Sequence, residues 1–172
     1  HLSKLKIYSN GKFISANMKL STAIDSIYLF PSQVFGDLKA LDFSGLKFTK
    51  ADIYIGSLTR NDVELPILKR FVFPATLRQL KLSNAQSEVL DLSRCTHLKS
   101  LYVDDSRTGE RAIKKLILPK NLKKSDFKRQ HKSEFENDYA FKLSDISNET
   151  VIENLPSWVE NDGNGTYSVP ND

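Results

Sequence analysis

The chain has 172 residues, of which 40% are apolar and 27% are charged, and this composition is that of an ordinary globular protein. The formal net charge is only +4, so overall charge does not single out an anionic partner. No stretch approaches the roughly 18 consecutive apolar residues of a membrane-spanning helix, so we expect no membrane insertion.

Candidate strands recur from the N-terminus in two forms. We use "inner" for strands that read L-x-x-L-x-L and "outer" for the short apolar strands between them. Residues 2–10 read as an inner strand that ends in Asn10, residues 24–29 as an outer strand, and Leu38 begins a second inner strand. The spacing breaks between residues 46 and 66, where we expect an insertion with loops.

The middle of the chain repeats more regularly. Residues 77–82 and 98–103 both read L-x-x-L-x-[LV], and their first leucines are 21 positions apart. A weaker inner strand follows at residues 122–127. The outer strands that we predict are residues 68–73, 89–92 and 113–118. Self-similarity at a period of 20–29 residues is typical of a leucine-rich repeat.

Proline and cysteine mark the turns of this pattern. Pro31, Pro74 and Pro119 each follow an outer strand, and proline has no N–H to donate to a sheet, so it should end the strand. Cys95 is the only cysteine and cannot form an internal disulfide. We expect it to be a small buried residue that packs in a turn after residues 90–94.

The fold class that follows is a leucine-rich-repeat solenoid. Alternation along each unit points one apolar row inward, and one unit cannot bury that row alone, so stacked units would share a core and a parallel β-sheet. The predicted solenoid is mostly β, with short outer strands, turns and little helix. We assign it residues 1–132, irregular at 46–66, and assign residues 133–172 to a C-terminal cap and linker. Residues 133–147 are read as a short helix or a final edge strand.

Charge is distributed in two opposite blocks. Residues 107–132 carry ten Lys/Arg against two acids, and residues 133–172 carry nine acids against Lys142. Adjacent blocks of opposite sign are most simply explained by mutual attraction, although an acidic partner of the basic block stays an alternative. Nucleic-acid binding is not expected, because Phe127 is the only aromatic residue in the basic block and base stacking needs more.

A binding site is predicted on the outward side of the inner strands. Their outward residues should form columns across the sheet, beginning at residues 40–44. Tyr102 beside Asp104 and Asp105 offers aromatic area with directional polar contacts. The alternative is a solvated sheet face without a partner. The candidate binding residues are Gln79, Lys81, Ser100, Tyr102, Asp104, Asp105, Lys124 and Lys128.

Catalytic motifs are missing from the sequence. It contains no G-x-S-x-G, no glycine-rich phosphate loop and no H-x-x-x-H pair, and its three histidines are scattered. We therefore predict a protein that is not an enzyme and has no metal or cofactor. The partner is expected to be a protein or glycan bound to the sheet face of a monomer.

Residues 88–103 contain the unit L-D-L-S-x-x-x-x-L-x-x-L. This unit resembles the repeats of bacterial surface leucine-rich-repeat proteins of the internalin-like and adhesin type. The resemblance implies surface display or export, and adhesion or recognition as part of a larger protein. The alternatives are a structural spacer, a cytoplasmic leucine-rich-repeat adaptor, and a polysaccharide-degrading enzyme on a parallel β-helix.

Overall fold

The computed structural model describes residues 4–9, 26–31, 40–54, 68–83, 87–105, 112–127 and 140–170. Strands dominate these residues, and the predicted β class with little helix is confirmed. A short 3₁₀ helix covers Lys124–Asp126. The strands are β1 (Lys4–Ser9), β2 (Ser26–Pro31), β3 (Ala40–Asp42), β4 (Lys50–Tyr54), β5 (Leu68–Val72), β6 (Gln79–Ser83), β7 (Ser87–Asp91), β8 (Ser100–Asp104), β9 (Lys115–Ile117), β10 (Phe141–Ser144), β11 (Val151–Glu153), β12 (Glu160–Asn161) and β13 (Tyr167–Ser168).

The strands form two sheets. The larger has eight strands in the order β1-β2-β4-β6-β8-β10-β13-β12, and the smaller has five in the order β11-β9-β7-β5-β3. From β2 to β11, successive strands alternate between the two sheets, and neighbours within each sheet run parallel. The parallel arrangement that the repeats predict is therefore present. It ends at β12 and β13, which pair antiparallel to each other and, through β13, to β10.

The larger sheet confirms part of the predicted register. Leu80 lies beside Leu101 on neighbouring strands, 21 positions apart in sequence, and Leu82 lies beside Val103. All four side chains are buried, because the alternation within each strand turns them towards the core.

The predicted repeat spacing is wrong for the neighbours of β6 and β8 on both sides. Residues 50–54, assigned to an irregular insertion, form β4 and pair in register with β6, with Ala51 beside Leu80. Residues 122–127 do not continue the sheet, because Lys124–Asp126 is helical. The neighbour of Leu101 is Phe141 on β10, so residues 133–147 contain an interior strand and not an edge strand or a helix in the part described.

The smaller sheet contains the outer strands predicted from the middle of the chain. Phe71, Leu90, Leu116 and Ile152 occupy one row across it. Leu41 begins this row, beside Phe71, so the strand predicted as inner at Leu38 belongs to the outer set. The reverse holds for residues 24–29, because β2 lies in the larger sheet beside β1.

The core lies between the two sheets. Phe43, Phe71 and Phe73 form one aromatic cluster, in which the rings of Phe71 and Phe73 stack with centroids 4.6 Å apart. Phe127 and Phe141 pack edge to face near Trp158 in a second cluster. Phe127 is therefore buried as expected of an inward residue, although it reaches the core from a turn and not from a strand.

Turns after the strands of the smaller sheet stack on one another. The N–H of Leu77 donates to the carbonyl of Pro74 at 3.1 Å, so Pro74 begins a turn as predicted. Cys95 lies in the corresponding turn after β7 and is fully buried, and its Sγ contacts the Pro74 carbonyl oxygen at 3.4 Å. This packing confirms the structural prediction for the cysteine. Burial and the charge of Asp91 together raise the pKa of the Cys95 thiol to about 12.

The C-terminal residues cover one end of the larger sheet. The hairpin of β12 and β13 adds to β10, and the N–H of Ile146 donates to the carbonyl of Gly165 at 3.0 Å. Gly165 has φ +87°, and a Cβ there would lie 2.5 Å from the Ile146 carbonyl oxygen, so the loop requires glycine. The division of the chain at residue 132 stays a prediction. No helix of the described ranges has the length and hydropathy of a membrane-spanning segment.

Candidate binding surface

The outer face of the larger sheet carries a row of polar side chains across four adjacent strands. Asp52 lies beside Lys81, Lys81 beside Tyr102, and Tyr102 beside Lys142. We call these four residues the middle row. Adjacent strands lie about 4.8 Å apart, so the row spans about 14 Å. All four residues are partly buried.

Five of the predicted site residues lie together on this face. Gln79 and Ser100 are neighbours on β6 and β8, Lys81 and Tyr102 follow, and Asp104 comes next beside Ser83. The columns predicted between residues 79–83 and 100–104 are therefore confirmed as geometry. Their use in binding stays a prediction.

Two other predicted residues, Asp105 and Lys124, lie elsewhere, and a third is not described. Asp105 is fully buried, and its Oδ2 accepts the N–H of Ile113 at 2.7 Å. Its backbone N–H donates to the Ser144 carbonyl, so this residue fixes the chain after β8 and faces away from solvent. Lys124 lies in the 3₁₀ helix and off the sheet face. Lys128 lies outside the described residues. Residues 40–42, expected to begin the columns, belong to the smaller sheet.

Sequence reasoning missed the flanking members of the surface. Asp52 on β4 and Lys142 on β10 belong to the middle row, and the backbone register continues from Asp52 to Tyr28 on β2. These two strands alternate like β6 and β8. Ala51 and Ile53 on β4 are buried in the core, and so are Phe141 and Leu143 on β10. That alternation was the available signal. The assumed period near 21 residues concealed it, because the chain between these strands and their neighbours is longer.

Carboxyl groups on this face sit in unequal environments. Burial raises the pKa of Asp52, and the neighbouring charge of Lys81 opposes that shift. Burial also raises the pKa of Asp104, and the charge and hydrogen bond of Asp145 raise it further, against a hydrogen bond from Tyr102. Tyr102, Asp104 and Asp145 therefore form one connected polar group at the end of β8.

The two charge blocks meet on the opposite sheet. Lys115 of the basic block forms an ion pair with Glu153 of the acidic block at 2.5 Å. The neighbouring Lys114 pairs instead with Glu88 at 3.4 Å. One described contact thus joins the blocks in the way that mutual attraction predicts. Both ion pairs are partly exposed to solvent, so each contributes less than about 1 kcal/mol to stability.

The surface can recognise a ligand by contact area and polar contacts. Tyr102 supplies a flat ring, and lysines on both sides of it supply hydrogen-bond donors and positive charge. Within the described residues, no group of three or more His, Cys, Asp or Glu side chains is placed to hold a metal ion. Comparison of the chain with protein-family models, curated proteins and solved structures finds no match.

Proposed function

We propose that this chain is a leucine-rich-repeat solenoid that binds a protein or glycan on the outer face of its larger sheet. It would act without chemistry of its own, as part of a larger adhesion or recognition protein displayed at a cell surface. The alternation of strands between two parallel sheets supports the solenoid, because each level repeats the pairing of the level before it. The resemblance of residues 88–103 to bacterial surface repeats supports the location.

The middle row carries the proposal. Parallel strands bring Asp52, Lys81, Tyr102 and Lys142 side by side although they are distant in sequence. A solvated face needs charge but has no need of an aromatic residue at its centre. Tyrosine is one of the residues enriched where binding energy concentrates, because its ring is large and loses little conformational freedom.

A truncation at the centre of the row tests the proposal. Tyr102→Ala removes the ring, and the matched control Val89→Ala removes a partly buried side chain from the outer face of the smaller sheet. Purified chain would be applied to an array of immobilised glycans and cell-surface proteins. Any ligand found would then be titrated against both variants after circular dichroism has shown that they fold.

The expected result is a ligand whose affinity falls about 30-fold in Tyr102→Ala, which corresponds to a hot-spot residue of about 2 kcal/mol. Val89→Ala should bind like the wild type. Equal affinity of all three proteins for every ligand would place the binding site elsewhere. Absence of any ligand on the array would favour the spacer over the binding module.

A further inference from the structure

Two strands of the larger sheet begin at a bulge. The N–H groups of Arg78 and Gln79 both donate to the carbonyl of Thr49, at 2.8 and 3.0 Å. At the start of the next strand of this sheet, β8, the N–H groups of Lys99 and Ser100 both donate to the carbonyl of Arg78, at 2.8 and 3.1 Å. Two residues then oppose one on the neighbouring strand, which interrupts the in-and-out alternation. The bulge therefore turns two consecutive side chains towards solvent on each level.

Cations occupy these positions. Arg78 and Lys99 are exposed at the two bulges, and Lys50, the exposed first residue of β4, lies on the preceding strand beside Gln79, one residue along from Arg78. We call these three residues the basic line. Adjacent levels are about 4.8 Å apart, so the line places a positive charge at each of three successive steps across the sheet. Within the described part of the chain, none of the three forms an ion pair.

Charge on this face is separated along the strands. The basic line lies where the strands begin, whereas Asp104 and Asp145 lie where β8 and β10 end. Five strand residues span about 13 Å, so the acids at that end are more than a Debye length from the line at physiological salt. Asp52 is nearer, and Lys81 beside it offsets its charge. The face thus presents a positive half, bordered by Tyr102 and Lys142.

We propose that this positive half binds a linear anionic polysaccharide, carboxylated or sulfated, that runs across the strands. The inference rests on the proposed function and names the partner of the same face. A chain with charges at regular intervals matches cations repeated on three successive strands, and a sugar ring can stack on Tyr102. Protein interfaces are depleted in lysine, which disfavours a protein partner. Single-stranded nucleic acid would need stacking partners, and Tyr102 is the one aromatic residue of this face whose side chain the structure describes.

The test compares two double variants with the same loss of charge. Arg78→Ser with Lys99→Ser removes two members of the basic line, and Lys120→Ser with Lys123→Ser removes two exposed lysines near β9. The probes are heparin, polygalacturonate, neutral dextran, a single-stranded oligonucleotide and poly-glutamate. Binding is measured by biolayer interferometry at two salt concentrations, with unfolding midpoints to verify the fold.

We expect wild-type chain to bind heparin or polygalacturonate, more weakly at high salt. The basic-line variant should lose about tenfold in affinity, which corresponds to about 1.4 kcal/mol for the two contacts together. The control should stay within about twofold. Equal losses in both variants, no binding of either polysaccharide, or tighter binding of the oligonucleotide or poly-glutamate would overturn the inference. A neutral glycan or protein that depends on Tyr102 but not on the basic line would overturn it and leave the proposed function standing.

Discussion

Replacing Leu101 by alanine probes the register of the larger sheet. Leu101 is fully buried between Leu80 and Phe141 on the neighbouring strands. The substitution removes about three carbon groups from the core, which costs about 2.4 kcal/mol at about 0.8 kcal/mol per group. Parallel strands on both sides restrict collapse of the cavity, which adds about 1–2 kcal/mol. The expected loss is therefore about 3.4–4.4 kcal/mol, a large fraction of the roughly 5–15 kcal/mol that stabilises a domain.

Leu122→Ala is the matched control, because it removes the same atoms from the residue that the repeat pattern had placed in an inner strand. Leu122 lies near the 3₁₀ helix and is only partly buried, so we expect a loss of about 1 kcal/mol. Urea unfolding followed by circular dichroism measures both, with the slope of the transition held constant between variants. A loss in Leu122→Ala as large as that in Leu101→Ala would refute the register described here.

Three further outcomes follow from single residues. Burial raises the pKa of Asp91, but hydrogen bonds from Ser93 and the charge of Arg70 outweigh burial, so the pKa is lowered. Asp91→Asn should therefore lose about 1–3 kcal/mol of unfolding free energy in urea at pH 7. This loss should shrink as the pH falls through the lowered pKa of Asp91. The pKa of Asp104 is raised, so protonation of Asp104 stabilises the fold. Asp104→Asn should therefore be more stable than the wild type at pH 7.5 and should lose that advantage as the pH falls through the raised pKa. A stability advantage that stays constant with pH would contradict this. Cys95, with its thiol buried and its pKa raised to about 12, should react with a thiol reagent at pH 8 only in urea, whereas rapid labelling of the folded chain would contradict its place in the core.

Local pattern was enough to predict the central strands. The spacing of apolar residues in 77–82 and 98–103 identifies β6 and β8 and their pairing, because both carry the same side-chain alternation 21 positions apart. Prolines located the ends of β5 and β9, since residues 74 and 119 cannot extend a sheet. These signals depend only on neighbours in sequence, and they were read correctly.

Strand partners were harder to predict, because pairing depends on the fold and not on spacing. Ala51 pairs with Leu80 across 29 positions and Leu101 with Phe141 across 40, and longer connections cost little free energy. A fixed period therefore assigned β4 to an insertion and assigned the segment that contains β10 to a short helix or a final edge strand. The fixed period also left Asp52 and Lys142 out of the predicted binding surface, since they lie on those two strands.

The two sheets differ in whether the charged side chains on their outer faces form ion pairs, and this difference favours the larger sheet as the binding face. On the smaller sheet, Arg70 pairs with Asp91 and Lys115 with Glu153, each along the same diagonal to the next strand. Several other outward positions there are aliphatic, namely Val72, Val89, Ile117 and Val151, and the outward acid Asp42 on β3 interacts with the charges of Arg94 and Arg70. Much of the charge on that face is thus matched within the fold. The basic line of the larger sheet forms no such pair in the described residues, so a counter-charge from a partner would meet cations that the fold leaves in solvent.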